Sequence, residues 1–265
     1  MTDDRAAALE AIAAQVQSCT RCALHKGRTR AVPGAGSPYA EIMFIGEGPG
    51  YNEDKQGLPF VGRSGNYLTE LIESIGLTRA DVFITNVVKC RPPENRDPLP
   101  DEMNTCRPYL DEQQALIDPL VIVTLGRFSM GRYFPGGKIT AIHGRPKYEG
   151  DRAYIPLFHP AAVLRNPALE EPMAEDFRLI LEVLAEVKRR RAGGTPGDTP
   201  VEAPAEATPP AAAPPSLAAP PAKAAPPAPA SPQRSLFETL PPEPATPPEP
   251  PPSPDDSKPT QLSLF

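Results

Sequence analysis

Four short runs of apolar and β-branched residues do most to constrain how this chain can fold. Each run is six or seven residues long and is apolar at neighbouring positions, so both faces of the strand would be covered. That pattern is typical of central strands in a parallel sheet. The runs lie at residues 41–46, 82–88, 120–125 and 153–158.

Segments with helical periodicity alternate with these predicted strands. Alternation of strands and helices favours a parallel sheet with helices on both faces. We therefore predict a three-layer α/β/α domain with a central, mainly parallel four-stranded sheet. Its ligand site should lie beyond the carboxyl ends of the strands. The predicted helices span residues 4–17, 64–75, 101–117, 127–134 and 170–191.

Proline divides the chain near residue 191. Residues 192–265 hold 23 of the 39 prolines, mixed mainly with Ala, Glu and Ser. Such a segment buries too little apolar surface to offset its chain entropy. The first part carries a net charge of −1 and the second −5, so the overall −6 misdescribes the first part. We predict one folded domain in residues 1–191 and a disordered, Pro-rich tail in residues 192–265.

The four cysteines, Cys19, Cys22, Cys90 and Cys106, form two pairs separated by 67 residues. With no secretory signal and no run approaching 18 apolar residues, we expect a cytoplasmic protein with reduced thiols and no membrane span. Four thiolates can hold a 4Fe–4S cluster or zinc. Only the first pair has the compact spacing of a zinc knuckle, which favours the cluster. His25, three residues after Cys22, keeps a mixed zinc site as an alternative.

Four motifs fall at the predicted strand ends and around the cysteines. They are GEGPGYNEDKQGLPFVGRSG at 46–65, TNVVKCRPPENRDP at 85–98, CRPYL at 106–110 and HPAAVLRNP at 159–167. Together they resemble the family 4 uracil-DNA glycosylases, the iron–sulfur branch of that superfamily, over about residues 15–188. The resemblance implies an enzyme that flips uracil out of DNA and hydrolyses its N-glycosidic bond, leaving an abasic site.

The resemblance also implies a uracil pocket formed by two of these motifs. Gly46, Gly48 and Gly50 would let the main chain approach the base closely. Phe60 offers a flat face on which uracil can stack; its alternative role is a core residue. Asn86 carries a donor and an acceptor that match the O4 and N3–H edge of uracil and reject cytosine. A turn or capping role is the alternative for Asn86.

The last motif supplies the candidate catalytic group and a candidate wedge. A neutral His159 donating a hydrogen bond to uracil O2 would stabilise the charge that develops as the bond breaks. Leu164 and Arg165, in the loop that ends at Asn166, would enter the minor groove and fill the vacated stack. Simple packing is the alternative for Leu164.

The motifs leave the group that positions the water open. The resemblance implies that Glu47 shapes the pocket, while Gly48 stands where many relatives hold a water-activating Asp. Glu53 and Asp54 are the nearest carboxylates and could orient the water or the sugar cation. A charge pair at a helix N-terminus is the equal alternative for these two residues.

Basic residues give two further candidate DNA contacts. Lys89 and Arg91 flank Cys90 and are predicted to neutralise phosphates. The run at residues 188–191 ends the last predicted helix, where cations are favourable with or without DNA. We therefore interpret that run mainly as a solvated helix end.

The tail ends in a peptide that resembles the segment by which bacterial repair proteins dock on the ring-shaped sliding clamp. Apolar anchors are otherwise out of place in a tail of Pro, Ala and Glu. The terminal peptide is Gln261, Leu262, Ser263, Leu264 and Phe265, and a weaker copy carries Gln233, Leu236 and Phe237.

The features together predict a monomeric DNA repair glycosylase associated with the nucleoid, with uracil-containing DNA and the sliding clamp as partners. Two alternatives remain open. One is a non-catalytic iron–sulfur adaptor that binds nucleic acid and senses a base in the same pocket. The other is an electron carrier, which would leave the HPAAVLRNP loop unexplained. Alkali-labile strand breaks at uracil separate the enzyme from the adaptor.

Overall fold

The computed structural model describes residues 4–193 of this protein. The two C-terminal motifs predicted to bind a clamp therefore lie outside the described residues, as does nearly all of the predicted tail. Within residues 4–193, no helix is both long and apolar enough to cross a bilayer.

A mixed sheet of six strands forms the centre of the domain, in the order β1-β3-β2-β4-β6-β5. The four inner strands run parallel, and each outer strand pairs antiparallel with its neighbour. The inner strands are β2 (Ile42–Gly46), β3 (Phe83–Asn86), β4 (Val121–Leu125) and β6 (Arg152–Leu157), and the outer strands are β1 (Ala35–Gly36) and β5 (Lys147–Glu149).

Helices cover both faces of this sheet, which confirms the predicted three-layer α/β/α class. The long helices begin and end within one or two residues of the predicted bounds, except at the C-terminus of the predicted helix 127–134. The helices are α1 (Arg5–Ser18), α2 (Tyr51–Gln56), α3 (Arg63–Ser74), α4 (Pro100–Ile117), α5 (Arg127–Gly131), α6 (Ile139–Ile142), α7 (Pro160–Val163) and α8 (Glu170–Arg191).

Alternate side chains of each strand point to opposite faces and build two separate cores. In β2, for example, Ile42 and Phe44 join the core beneath α3 and α8, whereas Met43 and Ile45 join the core beneath α1 and α4. Both sets are almost fully buried. This explains why the strand sequences are apolar without the alternation of a half-exposed sheet.

The predicted sheet had four strands and the observed sheet has six. The two additional strands are only two and three residues long and lie at the edges. Elements that short show no periodicity in the sequence. The edge strands do not alter the parallel arrangement that brings the motif loops together.

Candidate active site and cysteine cavity

The carboxyl ends of three parallel strands bring the sequence motifs to one edge of the sheet. Gly46 ends β2 and lies opposite Asn86, which ends β3. His159 follows the end of β6 by two residues. Gly126, directly after β4, has a φ of 89°, and a Cβ there would lie 3.0 Å from the Cβ of His159. The three motif loops therefore lie at one end of the sheet, as the sequence predicted, and the turn at Gly126 lies beside them.

The side chains of Asn86 and Phe60 both pack closely against Gly46. A Cβ on Gly46 would lie 2.4 Å from the Oδ1 of Asn86 and 2.6 Å from the Cζ of Phe60, so a side chain at residue 46 would clash with both. The ring of Phe60 also stacks near that of His159, with centroids 5.7 Å apart. Three residues of the predicted uracil pocket thus lie close together.

The amide oxygen of Asn86 is the least satisfied polar atom of this pocket. Asn86 is 1 % exposed, and its Oδ1 has no hydrogen-bond partner within residues 4–193. Leaving a buried acceptor unpaired costs roughly 1–3 kcal/mol. An unpaired buried acceptor at the predicted uracil site indicates a position for a donor on a ligand.

Phe60 is held in its position by unusual backbone geometry. Its φ is 51°, in the left-handed region that favours glycine. A Cβ on Gly65 would lie 2.0 Å from the carbonyl oxygen of Phe60, so only glycine lets α3 pack this closely. Both a strained residue and a close helix contact keep the Phe60 ring at the pocket. Phe60 also belongs to the core beneath α3, which is the alternative role that the sequence left open for it.

His159 is arranged as a neutral hydrogen-bond donor. Its Nδ1 accepts a hydrogen bond from the amide of Ala161 at 3.1 Å. The proton of the neutral ring therefore lies on Nε2. Burial, and to a lesser extent nearby Arg165, lower the pKa of His159 to about 4, although Glu53 opposes this shift. The imidazole is consequently uncharged at neutral pH.

Glu53 braces two segments of the pocket wall. Its buried carboxylate accepts hydrogen bonds from the backbone amides of Gly50, Val61 and Gly62 at 2.9–3.1 Å. These bonds connect the turn before α2 to the turn that carries Phe60. The neighbouring Asp54 accepts instead from the amide of Thr29, which directs it away from the pocket.

Glu47 directly follows β2 and differs from Glu53 in its partners. Within residues 4–193, no hydrogen bond or ion pair holds its carboxylate. Burial raises the pKa of Glu47, Asp97 raises it further, and Arg127 opposes the shift. Arg127 and Asp97 themselves form an ion pair at 2.5 Å.

The glycines at 48 and 50 leave space for close main-chain contacts. A Cβ on Gly48 would lie 2.7 Å from the Cγ2 of Val88, and one on Gly50 would lie 2.8 Å from the Oε2 of Glu53. Beyond the strands, the amide of Val88 still bonds to the carbonyl of Glu47 at 3.1 Å. The parallel pairing thus continues into the two motif loops.

The predicted wedge lies on the surface directly after α7. Leu164 is 36 % exposed, as several other large hydrophobic side chains of the described residues are. Asn166 differs from the prediction in having a clear structural role, because its Oδ1 accepts a bond from the amide of Ala168 and caps the turn Pro167–Leu169. Arg165 lies between them and close enough to His159 to affect its pKa.

All four cysteines are free, and they line one cavity. Two hydrogen bonds reach their sulfurs: the Nη1 of Arg28 donates to Cys90 at 3.0 Å, and the amide of Lys89 donates to Cys106 at 3.3 Å. His25 also lines the cavity, and its Nδ1 lies 2.7 Å from a backbone carbonyl. No sequence pattern indicated that Arg28 would contact a cysteine sulfur.

The four sulfurs surround the cavity without converging on a point. Within the part of the chain that the structure describes, no three His, Cys, Asp or Glu side chains are grouped as a single metal ion requires. Burial raises the pKa of Cys90 to about 11, so as a free thiol it stays protonated at neutral pH. Such a thiolate forms when a metal binds it.

The prediction that Lys89 contacts phosphate is wrong. Its side chain is 1 % exposed, and its Nζ donates to Thr85 Oγ1 at 2.5 Å, to the carbonyl of Asn86 at 2.9 Å and to Gln113 Oε1 at 2.8 Å. A lysine in a proline-rich loop gives no sequence signal for burial. Arg91 remains half-exposed, with its guanidinium 5.2 Å from the centre of the exposed Tyr51 ring.

The basic run that ends α8 is engaged in ion pairs on the protein surface. Lys188 pairs with Glu41, and Arg191 pairs with Asp118 and Asp151. These contacts agree with its interpretation as a solvated helix end.

Comparison with known proteins identifies the family. A model of the Uracil DNA glycosylase superfamily matches residues 33–185. The type-4 uracil-DNA glycosylase of Sulfurisphaera tokodaii is 52% identical over 193 residues, which cover 68% of this chain and 87% of that protein. Those of Archaeoglobus fulgidus and Thermotoga maritima are 47% and 44% identical over 66% and 68% of this chain and 92% and 93% of their own lengths.

The family match at residues 33–185 includes all four sequence motifs. The resemblance predicted from those motifs is thereby confirmed. This chain belongs to the uracil-DNA glycosylase superfamily and, within it, to the type-4 uracil-DNA glycosylases.

Proposed function

We propose that this protein excises uracil from DNA, hydrolysing the bond between N1 of the base and C1′ of deoxyribose. The observation that carries the proposal is the buried Oδ1 of Asn86, which has no hydrogen-bond partner within residues 4–193 and lies beside Gly46 and near Phe60. A flipped uracil stacked on Phe60 would place its N3–H at this acceptor and its O4 near the Asn86 amide nitrogen. Cytosine lacks the N3–H and has a donor at position 4.

His159 would stabilise the departing base. As the N-glycosidic bond breaks, its electron pair moves onto the base, and negative charge accumulates on O2. The Nε2–H of a neutral His159 can donate to that oxygen, because Nδ1 is engaged with Ala161. The sugar becomes cationic at C1′, water adds there, and the water releases a proton.

We assign the positioning of that water to Glu47 rather than Glu53. The Glu53 carboxylate already accepts three backbone hydrogen bonds, which leaves it as a brace of the pocket. The Glu47 carboxylate has no such partners within residues 4–193, and a negative group near C1′ would also stabilise the sugar cation.

We further propose that Leu164 enters the duplex and occupies the space that the flipped nucleotide vacates. Its exposure on a short loop next to His159 supports this role. Arg165 is the neighbouring candidate for a contact with a phosphate.

We propose that the four cysteines bind a 4Fe–4S cluster. Four free sulfurs around one cavity fit a cluster, in which each thiolate takes a separate iron, better than a single zinc, on which all four must converge. Donors to two of the sulfurs, Arg28 and the amide of Lys89, suit a cluster with thiolate charge. The cluster would supply a structural cross-link between α1, the segment after β3 and α4.

An excision assay on a uracil oligonucleotide tests the proposal. Alkali-labile breaks should appear at uracil with the wild-type protein. His159→Ala should lower the turnover rate on the order of 10²–10³-fold, the effect of removing one preorganised donor. Asn86→Asp should weaken uracil recognition because a donor becomes an acceptor. Wild-type binding without strand breaks would instead support the non-catalytic adaptor.

For the C-terminal peptide at residues 261–265, we keep the proposal that it binds the sliding clamp at the nucleoid, with residues 233–237 as a weaker copy. Docking through a C-terminal peptide suits a monomeric enzyme that searches DNA, because tethering raises its effective concentration near the duplex. Deleting residues 261–265 should abolish or strongly weaken clamp binding in a pull-down and leave excision on short oligonucleotides unchanged. Undiminished binding by a chain ending at residue 191 would contradict the assignment.

A further inference from the structure

We infer that Lys89 is a positioning residue for uracil recognition: its buried ammonium holds the main-chain carbonyl of Asn86 and thereby aims the amide that reads the base. The inference rests on the proposed function of the Asn86 pocket. It concerns a residue that contacts neither the pocket nor the cysteine sulfurs through its side chain.

The ammonium group of Lys89 is fully enclosed and has three oxygen acceptors, one for each of its protons. They are the hydroxyl of Thr85, the carbonyl of Asn86 and the side-chain oxygen of Gln113, at 2.5–2.9 Å. Within residues 4–193, Lys89 forms no ion pair with a carboxylate. Burying an amine costs free energy that an apolar side chain of the same length would avoid. The three hydrogen bonds are therefore what the lysine adds at this position.

These acceptors connect the end of β3 to two other elements. The Oγ1 of Thr85 and the Nε2 of Gln113 both donate to the carbonyl of Pro33, at 3.0 and 2.7 Å. The strand end is thus bonded to the segment before β1 and to α4 at the same time. Lys89 donates to both Thr85 and Gln113 in this network. It also donates to the carbonyl of Asn86, whose side-chain amide is proposed to recognise uracil.

Asn86 depends on this support more than a residue inside the sheet would. In the part of the chain described, β1 pairs with β3 only at Phe83 and Ile84, so it stops two residues before Asn86. The Lys89 ammonium supplies the donor that the Asn86 carbonyl would otherwise obtain from a neighbouring strand. Within residues 4–193 no hydrogen bond holds the Oδ1 of Asn86, so the position of its main chain helps to decide where the side-chain amide lies.

Lys89 is itself fixed from the side of the cysteine cavity. Its amide donates to the sulfur of Cys106 at 3.3 Å, and its carbonyl accepts a bond from the amide of Val32 at 2.7 Å. A single residue therefore spans the distance between the cysteine cavity and the strand end that bears Asn86. This placement explains why a charged residue lies in the interior next to Cys90.

The first experiment replaces the donors of Lys89 while keeping its length. Lys89→Met should lower kcat/KM on a uracil oligonucleotide on the order of tenfold, the effect of losing one hydrogen bond to a charged group. The change should appear mainly in KM, since Asn86 contacts the base in both the bound substrate and the transition state. His159→Ala should differ by lowering kcat. Lys188→Met, at an exposed lysine, is the matched control and should leave both constants unchanged.

A double-mutant cycle then separates positioning from general stability. If Lys89 acts through Asn86, Lys89→Met should have little further effect on kcat/KM in an Asn86→Ala background. An equal decrease in both backgrounds, or wild-type kcat/KM for Lys89→Met alone, would overturn the inference. If thermal unfolding and iron content show that Lys89→Met does not fold, Lys89→Gln, which keeps an amide donor, is measured in the same cycle. A wild-type protein without uracil excision would refute the proposed function instead.

Discussion

The two faces of the central sheet are built in different ways. Beneath α3 and α8 the core consists of interlocking apolar side chains, such as Phe44 and Phe177, whose rings stack with centroids 5.7 Å apart. Beneath α1 and α4 the core contains Cys90 and Cys106, and Lys89 is buried at the same end of the sheet. The first face can form from hydrophobic burial alone. The face beneath α1 and α4 also requires bonding partners for its buried polar groups and sulfurs.

The pocket lies at the sheet edge where these two faces meet. Phe60 belongs to the apolar core, whereas Asn86 is supported by the polar network around Lys89. Uracil recognition should therefore depend on both faces, and stability should depend on them in different ways. The following predictions are ordered by the size of the effect that we expect.

The largest effect should come from Cys90→Ala on the cysteine-containing face. Binding free energy of a metal site becomes folding free energy and is on the order of 10 kcal/mol for structural zinc sites. We expect iron content to fall from about four per chain and thermal unfolding to shift strongly downward. Iron analysis and calorimetry measure both changes. Iron-free wild-type protein of equal stability, or stoichiometric zinc in place of iron, would contradict the cluster.

A smaller effect is expected from Phe177→Ala on the apolar face. Truncating a fully buried Phe should lower the free energy of unfolding by about 3–5 kcal/mol. Iron content should remain that of the wild type, because Phe177 belongs to the other core. Denaturant unfolding and iron analysis test this separation. A concurrent loss of iron in the folded variant would show that the two faces do not act independently.

The pH dependence of the free energy of unfolding should depend on His159, which lies in the pocket where the two faces meet. The pKa of His159 is about 4 in the folded protein, below its ordinary value of 6.5. Between these values the unfolded chain binds a proton that the folded protein does not. The stabilising contribution is therefore complete above pH 6.5 and decreases as the pH falls towards 4. We expect wild type to lose about 1–2 kcal/mol more than His159→Leu between pH 7 and 5. Parallel pH profiles would contradict this assignment.

The smallest effect should come from Lys188→Ala at the end of α8. Its ion pair with Glu41 lies on the surface, where such pairs contribute about 0–1 kcal/mol. Stability and uracil excision should both stay close to wild type. A large decrease in DNA binding at low salt would instead assign this run to phosphate contact.

The long elements of this fold could be predicted because their patterns extend over enough residues. The prediction of 101–117 for a helix differs by one residue from α4, and all four inner strands lie within the predicted runs or begin one residue earlier. The edge strands Ala35–Gly36 and Lys147–Glu149 could not be predicted, since hydrogen bonding to a neighbour defines them rather than their composition.

The candidate site was predictable where a residue type limits the chemistry and not where the environment decides it. Asn86 and His159 were identified by their functional groups and their places after strands. The sequence pointed to Glu53 or Asp54, rather than Glu47, as the carboxylate that orients the water, and it gave no indication that Glu53 accepts backbone bonds from Gly50, Val61 and Gly62. For Lys89, burial depends on the approach of α4 and the segment at Pro33, which are distant in the sequence.

The contact between Gly48 and Val88 restricts how this site can diverge. Many relatives are expected to hold an Asp at the position of Gly48, yet a Cβ there would lie 2.7 Å from the stiff, buried side chain of Val88. Gly48→Asp alone should be selected against, whereas Val88→Ala first would make room for it. The order of two substitutions, rather than either one, would then decide whether an evolutionary lineage can exchange one water-positioning carboxylate for another.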